Sequence, residues 1–243
     1  MKNKLIFLGV GHSESLVHFN PSLLIENKHG RLLIDCGHTA KHALSHAGYS
    51  LADIDAIFIS HVHGDHVFGL ERFAYECRFK HKKKPTLIFH KAILEELWDQ
   101  TLKGSLSYTG EGEAEFSDYF NIKTLDSDHF TEIGIQFNTF DVRHTPGKKT
   151  SGVMIDGKIL YTSDTIAIPE IICSKKFTTC IHDVTLSDWN PVHATLDSLI
   201  AKYPSELRKK MYLISYEDSW EQQKELIEKE FAGFAKQGME IYF

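Results

Sequence analysis

The chain has little with which to cross-link itself, span a bilayer or coat a polyanion. It carries four cysteines in 243 residues, and Cys36, Cys77, Cys173 and Cys180 are scattered without CxxC spacing, so neither a disulfide framework nor a cysteine-based zinc site is expected. A reducing cytoplasm fits that usage. No apolar run approaches the ~20 residues of a membrane span, and no membrane partner is expected. The opening "MKNKLIFLGVGHS" meets Gly9, Gly11 and His12 after a short apolar run; it reads as a first strand, not a signal peptide. Basic charge is not in excess: 27 Lys and Arg against 33 Asp and Glu leave a net charge of −6, which excludes a surface built throughout for nucleic acid. With no repeat, no low-complexity tract and no Pro/Gly-rich linker, nothing marks a boundary, and residues 1–243 are expected to form one domain.

What the chain does have is histidine, 15 in all. Three of them crowd with an aspartate into "ISHVHGDHVFG", Ile59 to Gly69, directly after an apolar run. Alternate side chains of an extended segment point the same way, so His61 and His63 can present both imidazoles to one ion. Gly64 is expected to turn the chain sharply, bringing Asp65 and His66 to the same cavity. Mixed imidazole and carboxylate ligation suits zinc, manganese or iron, and four such groups are more than one ion comfortably uses. His144, before Pro146-Gly147, and Asp164, after "KILYTS", lie at strand ends where sites are usually assembled; on the residues alone each is equally a turn or capping residue.

Apolar runs of strand length at Leu5–Leu8, Leu23–Glu26, Leu32–Asp35, Ala56–Ser60 and Thr86–His90 are interspersed with helical patterns over Thr39–Ala47 and Ala92–Leu102. A second series follows: Ile133–Arg143, then "SGVMI" and "KILYTS" joined by Asp156-Gly157, a tight hairpin signal. "TCIHD", a helix near Thr195–Lys202, "MYLIS", an amphipathic helix from Trp220 to Lys236 and a terminal strand "MEIYF" complete the series. The pattern implies an α/β sandwich, two packed sheets with helices outside.

"HVHGDH" resembles the signature of the metallo-β-lactamase fold. "FLGVG", "LLIDCG", "HTPG" at His144 and "SDT" at Asp164 extend the likeness over most of the chain. The resemblance implies an αββα sandwich in which Asp35 braces the metal loop and His61, His63 and His144 hold one ion. Asp65 and His66 would help hold a second, with Asp164 bridging the two. "IHDVTL" with His182 and "NPVHATLDSL" with His193 resemble the paired histidine motifs of the ribonuclease Z-like phosphodiesterase branch. There one histidine orients the other, which handles the proton at the scissile phosphate. By this likeness Asp65, His182 and His193 are the expected catalytic residues, two zinc ions the expected cofactor and a homodimer the expected assembly.

Two departures shape the reading. The branch places a final histidine after its last core strand, where this chain reads "YLISYED". An oxygen from Tyr216, Glu217 or Asp218 would have to replace it, with Tyr216 the ligand taken forward; otherwise the second ion is weak, is a harder ion such as Mn²⁺, or is missing. Second, the tRNA-binding arm common between the histidine and the bridging aspartate has no room in the short stretch from His144 to Asp164. The layout is closest to the compact phage anti-Pycsar phosphodiesterases. The expected activity is therefore metal-dependent hydrolysis of a small nucleotide, a 3′,5′-cyclic mononucleotide, in the cytoplasm, of the host cell if the chain is phage-encoded, with tRNA an unfavoured substrate. Tyr108, in the loop "GSLSYTGEGE", is the expected aromatic contact to the base. The rivals are tRNA 3′-end processing, hydrolysis of a lactone or thioester, and a non-catalytic metal-binding homologue.

Overall fold

Strands form where the apolar runs are, and most runs are apolar on both faces because both faces become covered. In the computed structural model, which describes residues 2–243, β1 (Lys4–Gly9), β2 (Ser22–Asn27), β3 (Gly30–Ile34), β4 (Ala56–Ile59) and β5 (Thr86–His90) build the first sheet. After a two-stranded hairpin, β6 (Tyr108–Thr109) and β7 (Gly112–Glu113), the chain adds β8 (Asn121–Leu125) to that sheet's edge. The second sheet comprises β9 (His129–Glu132), β10 (Ile135–Asp141), β11 (Ser151–Ile155), β12 (Ile159–Tyr161), β13 (Thr179–Asp183), β14 (Met211–Ile214) and β15 (Gly233–Phe234). The terminal strand β16 (Glu240–Tyr242) returns to pair antiparallel with β1, giving orders β16-β1-β2-β3-β4-β5-β8 and β15-β14-β13-β12-β11-β10-β9.

Side-chain alternation divides the first sheet between two cores. Leu5, Phe7, Leu23, Ile25, Ile34 and Phe58 pack in one cluster with Phe137, Ile155, Ile181 and Leu213 of the second sheet. Ile6, Leu8, Leu24, Leu33, Ile57 and Phe89 point the other way, into a cluster with helical Leu44, Leu70, Phe73 and Leu97. Each such buried aliphatic or aromatic side chain contributes about 1.5–3 kcal/mol. The αββα sandwich expected from the sequence is the fold observed. Among the described residues, no helix is long and apolar enough to cross a membrane.

Local expectations hold at the hairpin turn and for the helices Ala40–His46 and Leu196–Lys202, and fail at two other helix ends. Asp156 and Gly157, with φ of 52° and 64°, make the β11–β12 hairpin, as a turn with two left-handed residues requires. The helix expected to reach Lys236 ends at Glu230, and Gly233, at φ 137°, starts a short strand beside β14. The segment expected to end before Gly104 instead remains helical through it to Leu106. The basic run Arg78–Pro85 is used locally: Arg78 faces Glu111, Lys83 pairs with Asp55, and Lys84 donates to the Ser117 carbonyl.

Candidate active site

The site lies where strands of both sheets end. Past β4, His61 and His63 leave the sheet, and a short helix over Gly64–Val67 carries Asp65 and His66 back beneath them. His144 follows β10, and Asp164 follows β12 from the second sheet. His61 Nε2 lies 3.1 Å and His144 Nε2 3.0 Å from His63 Nδ1. Asp164 Oδ2 is the hub, 3.8 Å from the Nε2 atoms of His61 and His144 and 3.3 Å from that of His66. Donor atoms of His61, His63, His144 and Asp164 form one group within 4.8 Å, and those of Asp65, His66 and Asp164 form a second. Asp164 belongs to both, as the resemblance implies.

Outer partners aim these rings. His66 Nδ1–H donates to Asp35 Oδ2 at 2.9 Å, His61 Nδ1 meets Ser60 Oγ at 3.0 Å, and His144 Nδ1–H donates to the Val192 carbonyl at 3.0 Å. Such partners fix which nitrogen is left for an ion. Asp35 also accepts from Ser60 N and Oγ. Its backbone is left-handed, φ 61°, as are those of Ser163 and Ser215, a conformation unusual for residues other than glycine and asparagine and often kept at functional sites. At Gly64 the chain turns from extended His63 into the short helix; a Cβ there would stand 2.7 Å from Phe68 Cε2, so its smallness makes room for that ring.

The donor set calls for cations. Burial lowers His61 well below its ordinary value and His63 to about 4, leaving neutral imidazoles with lone pairs free. His66 is pushed the other way: burial opposes its charge, but Asp164, Asp65 and Asp35 outweigh burial and raise it. Burial likewise opposes charge on Asp164, yet His66 holds it well below the usual carboxylate range. In the metal-free chain a proton on His66 thus offsets the surrounding carboxylates. Its Nε2 is buried with no hydrogen-bond partner among the described residues, facing Asp65 Oδ2 at 3.4 Å and Asp164. A buried orphan nitrogen between two carboxylates is what a divalent ion would satisfy, so the residues present fit a pair of metal ions.

Two expectations need correction. His182 does not orient His193. Its Nδ1–H donates to the Asp183 carbonyl at 2.7 Å and its Nε2 meets Tyr203 Oη at 2.9 Å, inside the protein, where burial lowers its pKa to about 4. Strand alternation is the reason: His182 and Asp183 are successive residues of β13 and face opposite ways. Asp183 Oδ2 instead accepts from His193 Nδ1–H at 2.8 Å and from Thr165 N at 2.9 Å, while His193 Nε2 looks to Asp164 Oδ2 at 4.0 Å. Burial opposes charge on His193, but Asp183 and Asp164 raise it to about 9. Sequence reasoning misses Asp183; the signal for it is an aspartate ending an apolar strand, the pattern shared by Asp35 and Asp164.

Nor does Tyr216 reach the ions' place. Its hydroxyl donates to the Ala235 carbonyl at 2.6 Å, and its ring packs edge-on against Phe234 at 4.6 Å. Glu217 accepts from Thr185 Oγ1, Leu186 N and Ser187 Oγ, and Asp218 from Ser15 Oγ and Leu16 N. All three oxygens offered as replacement ligands brace neighbouring segments. Tyr216→Phe should therefore leave metal content unchanged while stranding the buried Ala235 carbonyl, at about 1–3 kcal/mol and a melting point lowered about 2–4 °C per kcal/mol; metal analysis and a thermal melt check both parts. Tyr108 is 72% exposed on β6 and does not line the cleft beside His63.

A model of the family described as "Anti-Pycsar protein Apyc1" matches residues 3–241. The chain is 32% identical over 224 residues to the anti-Pycsar protein Apyc1 of Saccharibacillus brassicae, covering 90% of this chain and 91% of that one. It is 33% identical over a 261-residue alignment to the Apyc1 protein of Bacillus phage vB_BveM-Goe7, covering 98% and 97%. Among solved structures it is similar to the metallo-β-lactamase fold protein YhfI of Bacillus subtilis, with a TM-score of 0.79 over 100% of both chains at 17% identity, a likeness of fold.

Proposed function

This chain belongs to the Anti-Pycsar protein Apyc1 family and is a hydrolase of the metal-dependent phosphodiesterase class; from that premise we propose that it opens 3′,5′-cyclic mononucleotides to linear monophosphates. The observation that carries the reading is His193. A site that only activated water would be complete with the metal ligands, yet here a further imidazole, His193, whose charged form Asp183 favours, faces the same hub carboxylate. A proton held there suits a reaction that must expel an alkoxide from phosphorus.

Bound at the two groups around Asp164, zinc or another divalent ion supplies Lewis-acid charge for the phosphoryl oxygens and acidifies water. The chain's own residues do the rest. Burial keeps His61 and His63 neutral, and Ser60 and Val192 aim the rings of His61 and His144. Asp35 fixes both Ser60 and His66, so the metal loop is held from below. Asp183 keeps His193 Nδ1 protonated and its Nε2–H turned inward, where that proton can pass to the departing ribose oxygen as the P–O bond breaks. The buried residues around His66 and Asp164 keep bulk water from screening these charges.

A homodimer acting in the cytoplasm, the host's for a phage-borne copy, belongs to the same reading. Metal analysis of the purified protein, run beside a screen of cyclic mononucleotides, cyclic dinucleotides and precursor tRNA, tests the proposal. Two ions per chain and turnover of a cyclic mononucleotide are expected. Efficient tRNA 3′-end processing with no turnover of any cyclic mononucleotide would overturn it.

A further inference from the structure

Ser163 stands between the end of β12 and Asp164, the hub of the site. Thr162 N still donates to the Ile181 carbonyl of β13 at 3.0 Å; the left-handed backbone of Ser163, φ 55°, then turns the chain so that the next side chain enters the cluster. A glycine would make that turn without strain, whereas a residue with a Cβ is strained there. The turn accounts for the conformation but not for the serine. What the hydroxyl adds is a bond from one sheet to the other: Ser163 Oγ–H donates to Ser60 Oγ at 2.9 Å, and both residues are buried. A serine hydroxyl has one proton and two lone pairs. Ser60 gives its proton to Asp35 Oδ2 at 2.8 Å, and Ser163 fills one of its lone pairs. The other lone pair faces His61 Nδ1 at 3.0 Å, so the hydrogen of that contact must come from the imidazole. His61 Nε2, 3.8 Å from Asp164 Oδ2, is thereby left with its lone pair free.

We infer that Ser163 is a positioning residue for the ion held by His61, His63 and His144: acting through Ser60, its hydroxyl keeps His61 in the Nδ1–H tautomer, with Nε2 open to a metal. The inference rests on the reading of the cluster as a metal centre and adds how one ligand is kept ready. Without the Ser163 hydroxyl, Ser60 is free to swing its proton from Asp35 to His61 Nδ1. Asp35 loses little by the change, because it still accepts from Ser60 N at 2.8 Å and from His66 Nδ1–H at 2.9 Å. The ring's own hydrogen then belongs on Nε2, where an incoming ion has to displace it. Backbone strain retained at a buried serine, where glycine would carry none, is what a working hydroxyl at this place accounts for.

Loss of the outer partner of a metal ligand lowers affinity about 10- to 100-fold, and Ser163, at one remove from the ring, belongs at the tenfold end. The experiment titrates the zinc-loaded protein with a chelator of known affinity and counts the zinc retained, in wild type, Ser163→Gly, Ser163→Ala, Ser60→Ala and the double variant Ser60→Ala/Ser163→Gly, with a thermal melt of each. Ser163→Gly and Ser163→Ala should both hold the tighter ion about tenfold more weakly, although glycine relieves the backbone and should melt within a few degrees of wild type. The double variant should bind no more weakly than Ser60→Ala alone, because the two residues act in series. Wild-type affinity in Ser163→Gly overturns the inference, and so does a lower melting point with affinity intact, the result of a merely structural serine. A loss in Ser163→Gly that Ser163→Ala does not share assigns the effect to a loosened backbone at Asp164, and a further tenfold loss in the double variant shows Ser163 acting apart from Ser60; either overturns it. A His63→Ala protein with the wild-type titration overturns the metal-centre reading itself, whatever the serine variants do.

Discussion

His63→Ala should leave the purified protein with little bound metal and correspondingly little activity. Three imidazole nitrogens meet at this point, His61 Nε2 at 3.1 Å and His144 Nε2 at 3.0 Å from His63 Nδ1, and His63 lies on a half-buried turn where truncation disturbs the fold less than at the fully buried His61. If a four-ligand site is worth about 10–16 kcal/mol, one ligand carries roughly a quarter, or about 3 kcal/mol, a loss on the order of 100-fold in affinity. The second group, Asp65 and His66 with the shared Asp164, offers fewer donors, because none of Tyr216, Glu217 and Asp218 supplies one. It should therefore lose its ion first on dialysis and regain it with added Mn²⁺ or Zn²⁺, activity following. Binding should also weaken as pH falls, because His66 must give up the proton that Asp164, Asp65 and Asp35 help it hold. Wild-type metal content in His63→Ala would break the ligand assignment, and two equally tight sites in a titration would contradict the ranking.

The parts of this site that can be read from the sequence are those whose spacing is short and whose geometry is set by one element. "HVHGDH" contains its own strand exit and helix start, so His61, His63, Asp65 and His66 can converge without knowledge of the rest. His144 and Asp164 enter by resemblance, and the fold brings them in because β10 and β12 end at the same rim. What escapes the sequence is a matter of facing. His182 and Asp183 differ by one residue, and whichever of them faces the site puts the other in the core, so a motif matched by residue type selects the wrong neighbour. Tyr216 fails for a related reason: β14 ends at Ile214, Ser215 takes the left-handed conformation at φ 67°, and the next side chain is turned into the core against Phe234. A sequence carries no mark for that reversal when the residue making it is a serine. Two helix ends are misplaced because Gly104 and Gly233 send opposite signals from those expected, one tolerated inside a helix and one beginning a strand.

The facing of β13 makes Asp183→Asn the sharpest test of the catalytic assignment. The amide oxygen introduced by this substitution can still accept a hydrogen bond from His193 Nδ1–H, so the ring keeps a partner, but the negative charge that favours the imidazolium is gone. Proton donation by a placed group contributes about 100- to 10,000-fold, and kcat for a substrate with a poor leaving group should fall by a large part of that range. The pH profile gives the sign. His193, raised to about 9 against burial by Asp183 and then Asp164, carries its proton below that value, so kcat should decline as pH rises through it. Bound ions share the charge of Asp164, which places the declining limb at or below pH about 9. In Asp183→Asn the limb should move to lower pH, by about one unit for each 1.4 kcal/mol of lost charge interaction. His182→Gln supplies the contrast: it loses the bond to Tyr203 and with it stability, but the limb should stay where it is. Asp183 also stands close enough to Asp164 and His193 to be a ligand itself, so metal content must be measured in the same preparation. An Asp183→Asn protein that keeps its metal and loses turnover supports proton donation by His193; one that loses its metal makes Asp183 a ligand, and a limb that moves only in His182→Gln would return the orienting role to His182.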